Sequence, residues 1–167
     1  MKEENLKIKK ANAQEAYEAT NADGKQLLEK IFPGVFKPVL ITDRVKTWAD
    51  ACEIKGIDPV KSLPFPSPAD DIQEALNGTY QMFIICEVLC QGWKPDFSNS
   101  NQYKYTPYFK WNTSGFGFSD TNYVSWDTIS TVGSRLVYPS SDLAIYAGTQ
   151  FIDIYNKFLT KPNNETN

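Results

Sequence analysis

The chain has 167 residues, 17 basic and 20 acidic side chains, and no histidine. Without histidine there is no Ser-His-Asp or Cys-His arrangement, no imidazole base and no histidine metal ligand. Any catalysis would rest on carboxylates, Lys, Tyr or Cys. Residues 1–62 carry 11 basic and 10 acidic side chains, whereas residues 63–167 carry 6 and 10; the second part is short of the cations that neutralise phosphates.

The first residues, MKEENLKIKK, are charged and lack the apolar core of a signal peptide. Residues 1–10 and 161–167 are expected to be disordered, with a single α+β domain over 11–160. No apolar run approaches membrane-spanning length, so a cytoplasmic protein with no membrane partner and free Cys52, Cys86 and Cys90 is expected. Cys86 and Cys90 share a helix face, and core packing is favoured over metal or redox use because further ligands are lacking. The triplets NGT, NTS and NET are read as chance sequons.

A helical part spans 11–92. ANAQEAYEAT and NADGKQLLEKIF read as one interrupted helix or two short ones, with a stripe of Ala13, Ala16, Tyr17, Leu27, Leu28 and Ile31 and a turn at Asp23-Gly24. ITDRVKTWADACEIKGID reads as one helix, capped by Thr42 or Asp43 and stopped by Gly56, with Ile57 following. Pro64, Pro66 and Pro68 mark a linker. The next helix is placed from Ser67 as N-cap and Pro68 at N1, with Asp70 and Asp71 in the first turn, to about Gln91; its C-terminal half, MFIICEVLC, is apolar nearly all round, which makes the helix central to the domain.

A meander and a helix follow over 100–160. Eleven of the 23 aromatic residues lie in 93–126. Tyr103, Tyr105, Phe109 and Trp111 share one face of a strand; Lys104, Thr106, Tyr108 and Lys110 share the other. Pro107 demotes that strand to an edge or marks a break. NTSG turns, GFGFS returns, DTN turns again, YVSWD returns, and RLVYP is a fourth short strand. The fold expected is α+β: N-terminal helices, a short antiparallel β-meander of three to four strands, and a C-terminal helix packed on the sheet. That last helix, PSSDLAIYAGTQFIDIYNKFL, is capped by Ser140 or Ser141. Gly148 in its middle implies a close contact with an aromatic of the sheet.

Gly115-Phe116-Gly117-Phe118 matches the middle of the RNP1 signature of RNA-recognition domains. Ser114, Ser119 and Thr121 depart from it, and the order of elements differs. A hairpin strand with Phe116 and Phe118 toward the core is the reading preferred. A phosphate cradle needs a helix after the glycines, and a strand follows. Asp120, Asp127, Arg135 and a tyrosine could make a carboxylate-based enzyme, but Asp residues in turns usually bond their own backbone. The aromatic cluster offers a binding surface of Tyr108, Tyr123 and one of Trp111 or Trp126; Arg135 could anchor an anion, but pairing with Asp120, Asp127 or Asp142 is preferred.

Tyr105-Thr106-Pro107-Tyr108-Phe109, Gly115-Phe116-Gly117-Phe118, Gly133-Ser134-Arg135-Leu136 and Leu143-Ala144-x-Tyr146-Ala147-Gly148-x-x-Phe151 resemble a family of small uncharacterised proteins from phages and mobile elements of gut Bacteroidetes. The helix TDRVKTWADACEIKGI is similar to that family's upstream helix. The resemblance implies a cytosolic accessory role and carries no catalytic residue. The function expected is a non-enzymatic binding or adaptor protein with no cofactor and no metal, its partner a protein. The alternatives are a binder of single-stranded nucleic acid, a carboxylate-based enzyme and a carbohydrate-binding module.

Overall fold

A computed structural model describes residues 8–36, 40–113, 115–124 and 135–161. The chain divides into two compact units, Met1–Leu40 and Ile41–Asn167. In the first, α1 (Lys10–Ala19) and α2 (Ala22–Ile31) are separate helices. The break falls at Thr20-Asn21, because Asn21 is the N-cap of α2 and its Oδ1 accepts the Gly24 N–H. Asp23-Gly24 thus lies inside the first turn of α2 rather than between helices. The expected apolar stripe is largely exposed: Tyr17 is buried, stacked on Phe36 at 4.7 Å, while Ala16, Leu27 and Ile31 are exposed.

The second unit is built on α5 (Asp71–Leu89). Asp70, not Ser67, is its N-cap; Asp70 Oδ1 accepts the Gln73 N–H at 2.8 Å, and Gln73 Oε1 accepts the Ala69 N–H at 2.8 Å. These two bonds satisfy donors at the helix start, so Pro68 stays outside the helix. The proline linker is clamped onto α5 by Asn77, whose side chain both accepts from and donates to the Phe65 backbone. Gly78, Met82, Ile85, Cys86 and Leu89 form the buried stripe, while Glu87 is exposed. At the far end Cys90 is the C-cap, and Gln91 (φ 49°) and Gly92 (φ 83°) turn left-handed.

The segment expected as one helix before α5 is two: α3 (Ile41–Arg44) and α4 (Trp48–Lys55). Thr47 breaks it by making a capping box with Asp50, which offers more to the backbone than a continuing helix would. Gly56 closes α4 at φ 71°, and the Ile57 N–H returns to Cys52 O at 3.0 Å. Val45, in the gap, is fully buried.

Among the described residues the sheet is a two-stranded antiparallel hairpin, β1 (Lys104–Asn112) and β2 (Gly115–Val124); a meander of three to four strands is not shown, and residues 125–134 of the expected one lie outside the described residues. The expected turn DTN is part of β2; Thr121 pairs with Pro107 and Tyr123 with Tyr105. Ser119 is an extra residue in β2, producing a bulge where Tyr108 opposes Asp120 and Phe109 opposes Phe118. The RLVYP segment contributes one isolated bridge, Tyr138 to Tyr105. Its extension is blocked chemically. Tyr105 directs its N–H and C=O to Tyr138, so Pro107, two residues on, faces the same edge without an N–H to give.

The closing helix is also two, α6 (Ser141–Gln150) and α7 (Ile152–Leu159), broken at Phe151. Ser140 caps α6 through the Leu143 N–H. The break lets α6 lie on the hairpin while α7 packs on α5. Two glycines permit those approaches. A Cβ at Gly148 would fall 2.5 Å from Phe118 Cδ2 and 2.7 Å from Pro107 Cβ, and one at Gly78 would fall 2.9 Å from Lys157 Cβ. The aromatic contact expected at Gly148 is therefore present.

Candidate functional site

The hairpin divides its aromatics. Tyr108 and Trp111, three apart, hold alternate positions of β1, yet both line the cavity between the hairpin and α7. Phe109, Trp111 and Phe116 stay together: Phe109 stacks on Phe116 at 5.2 Å, and Trp111 meets Phe116 at 5.8 Å. Tyr103 and Tyr123 form a separate edge-to-face pair at 5.0 Å. Tyr108 carries Lys110 over its ring. Tyr108, Trp111 and Tyr123 are all exposed, Trp111 most of all at 63%. They do not form one flat stacking platform. Trp126 lies outside the described residues.

Beneath Trp111 lies a cavity of about 330 Å³ between the hairpin and α7. Phe109, Trp111 and Phe116 form one wall, and Leu136, Tyr155 and Phe158 form another. No Asp, Glu, Lys or Arg lines it. Its one deep phenol, Tyr155, meets the Tyr138 hydroxyl at 3.2 Å in the buried core. Burial holds both phenols far above the usual range, so neither serves as a base near neutrality. The lining suits recognition of an apolar group.

A second cavity, of about 440 Å³, lies at the C-terminal end of α5. Cys86, Cys90, Trp93, Lys94, Phe83 and Arg135 line it. The two sulfurs are 4.0 Å apart, and each lies within 3.6 Å of the Val137 carbonyl oxygen. The shared hydrogen bond with Cys86 lowers the Cys90 thiol below its ordinary value; the same bond, with burial, raises Cys86. Arg135 lies 5.8 Å over the Phe83 ring. It is thus placed at this cavity, not at the one that Trp111 and Tyr108 line.

The residues of the expected enzyme are not drawn together by this geometry. Asp120 accepts the Thr121 N–H beside it on the hairpin, and the cavity of Arg135 does not include it. Asp127 lies outside the described residues. Among the described residues no cluster of three or more Cys, Asp or Glu is placed to hold a metal ion, and no helix is long and apolar enough to cross a membrane. Sequence reasoning missed the cavity under Trp111 because its far wall comes from α7, which exists as a separate helix only through the break at Phe151. For the cavity at the end of α5, the i, i+4 spacing of Cys86 and Cys90 is the available signal.

In class, the chain is an α+β protein with a helix-centred core, a twisted hairpin and two cavities of contrasting chemistry. Comparison with protein-family models, with curated proteins and with solved structures gives no match.

Proposed function

We propose that this chain is a non-enzymatic binding protein that seats an apolar side chain of a partner polypeptide between the hairpin and α7. The observation that carries this reading is the uncharged cavity of about 330 Å³ with the exposed Trp111 on its wall. Aromatic anchors beside a desolvated pocket concentrate binding energy in protein interfaces. Charge supports a polypeptide over a nucleic acid: the lining holds no cation, and residues 63–167 carry 6 basic against 10 acidic side chains. A cytosolic accessory role in a phage or mobile element belongs to the same proposal and rests on the resemblance over roughly residues 10–160.

Selection from a displayed peptide library tests it. Enriched peptides are expected to share one bulky apolar residue. Trp111→Ala should weaken them by about 2 kcal/mol, roughly 30-fold, and Tyr103→Ala by less than about twofold. A library that enriches nothing, with tight and steeply salt-dependent binding of single-stranded DNA or RNA instead, would contradict the proposal. Binding confined to a glycan array would contradict it equally.

A further inference from the structure

The cavity at the end of α5 takes no part in that recognition, and its chemistry is different. Two thiols stand one helical turn apart with sulfurs 4.0 Å from each other. Cys90 is the more accessible, at 8% against 3% for Cys86. Of the charged groups on the same cavity, Lys94 and Arg135 are cationic and Glu87 is anionic. Glu87 is already paired with Lys55. Among the described residues no carboxylate pairs with Arg135, whose guanidinium lies over Phe83. The opening therefore favours anions.

We propose that Cys86 and Cys90 form a thiol–disulfide exchange site for small anionic disulfides, with Cys90 attacking and Cys86 resolving. In the first step the Cys90 thiolate attacks one sulfur of the disulfide; that S–S bond breaks and one thiolate leaves, taking a proton from water. In the second, Cys86 loses its proton to water and attacks Cys90 Sγ; the mixed disulfide breaks and the second thiolate leaves, taking up a proton from water. Two protein thiols are oxidised to one Cys86–Cys90 bridge, and the small disulfide is reduced to two thiols.

The helix end suits such a bridge. Regular helical residues four apart hold their Cβ atoms about 5–6 Å apart, whereas a disulfide holds them at about 3.5–4.5 Å. The last turn must therefore yield by about 1–2 Å. Cys90 is the C-cap, its N–H held to Cys86 O at 2.9 Å and followed by two left-handed residues. Only this one turn has to rearrange. A bridge made under strain is readily reduced again, as an exchange site needs.

Oxidised glutathione added to the full chain, followed by alkylation and peptide mass mapping, tests the assignment. One intramolecular bridge should form, with Cys52, buried on α4, still alkylated after unfolding. Cys86→Ser should stop at a glutathione adduct on Cys90, and Cys90→Ser should react at least about tenfold more slowly. Arg135→Gln, an exposed change that leaves the core intact, should slow the reaction at least about threefold. That slowing should be smaller with neutral hydroxyethyl disulfide. Comparable modification of all three cysteines, or modification only at the rate of global unfolding measured on the same protein, would overturn it.

Discussion

Two cavities of the second unit share a scaffold and differ in what they expose. The one under Trp111 is walled mainly by rings and leucines, with Thr106, Pro107 and Asn122 and no charged side chain, so an apolar ligand there gains by leaving water. The one at the end of α5 holds two sulfurs, Lys94 and Arg135, so it offers nucleophiles and an anion-attracting mouth. The difference follows from the elements that line them. A bulged hairpin and the kinked α6–α7 pair enclose apolar space; a helix C-terminus ending in left-handed turns exposes side-chain chemistry. Such separation predicts that either cavity can be damaged without the other.

The largest effect removes the common support. Ile85 is fully buried on α5, and Ile85→Ala is expected to cost about 2–5 kcal/mol in urea unfolding and to impair both cavities. Next, Gly148→Ala drives a methyl into Phe118 and Pro107. It should cost about 1–3 kcal/mol despite the better helix propensity of alanine. It should also weaken peptide binding at Trp111 while glutathione exchange at Cys90 keeps its rate. Loss of both activities together would break the comparison.

Tyr138→Phe leaves the buried Tyr155 hydroxyl without its partner and should cost about 1–3 kcal/mol. The phenols also set an alkaline limit. Their folded pKa values lie above the ordinary 10.0. The folded state thus keeps protons that the unfolded state loses. The stability they contribute is full below pH 10, falls as pH rises beyond it, and should read out as a declining melting temperature. Tyr138→Phe should flatten that decline. The smallest effect is Thr47→Ala, which removes one half of a capping box and should cost about 1 kcal/mol.

Much of the frame was legible from local chemistry. Ser140 as a cap, Gly56 as a stop followed by Ile57, the buried α5 and the tight packing at Gly148 all follow from single residues with strong conformational demands. Tyr108, Tyr123 and one of Trp111 or Trp126 were expected to be exposed, and Tyr108, Trp111 and Tyr123 are. The errors lie where two local signals compete. Ser67 and Asp70 are both good caps, and Gln73 decides for Asp70. A helical pattern over 42–56 hides Thr47, whose box with Asp50 interrupts it. Asp120-Thr121-Asn122 looks like a turn, yet cross-strand pairing to Pro107 and Tyr108 holds it extended. Phe151 carries no breaker signal; tertiary packing of α6 on the hairpin and α7 on α5 sets that kink.

The most direct measurement is a methyl NMR titration of the full chain with a library-selected peptide. Leu136 and Leu159 line the cavity under Trp111, while Ile84 and Val137 line the cavity at the end of α5. Binding between the hairpin and α7 predicts saturable shifts of the Leu136 and Leu159 methyls, abolished by Trp111→Ala, with Ile84 and Val137 unmoved. Shifts confined to Ile84 and Val137, or shifts of Leu136 and Leu159 that survive Trp111→Ala unchanged, would contradict it.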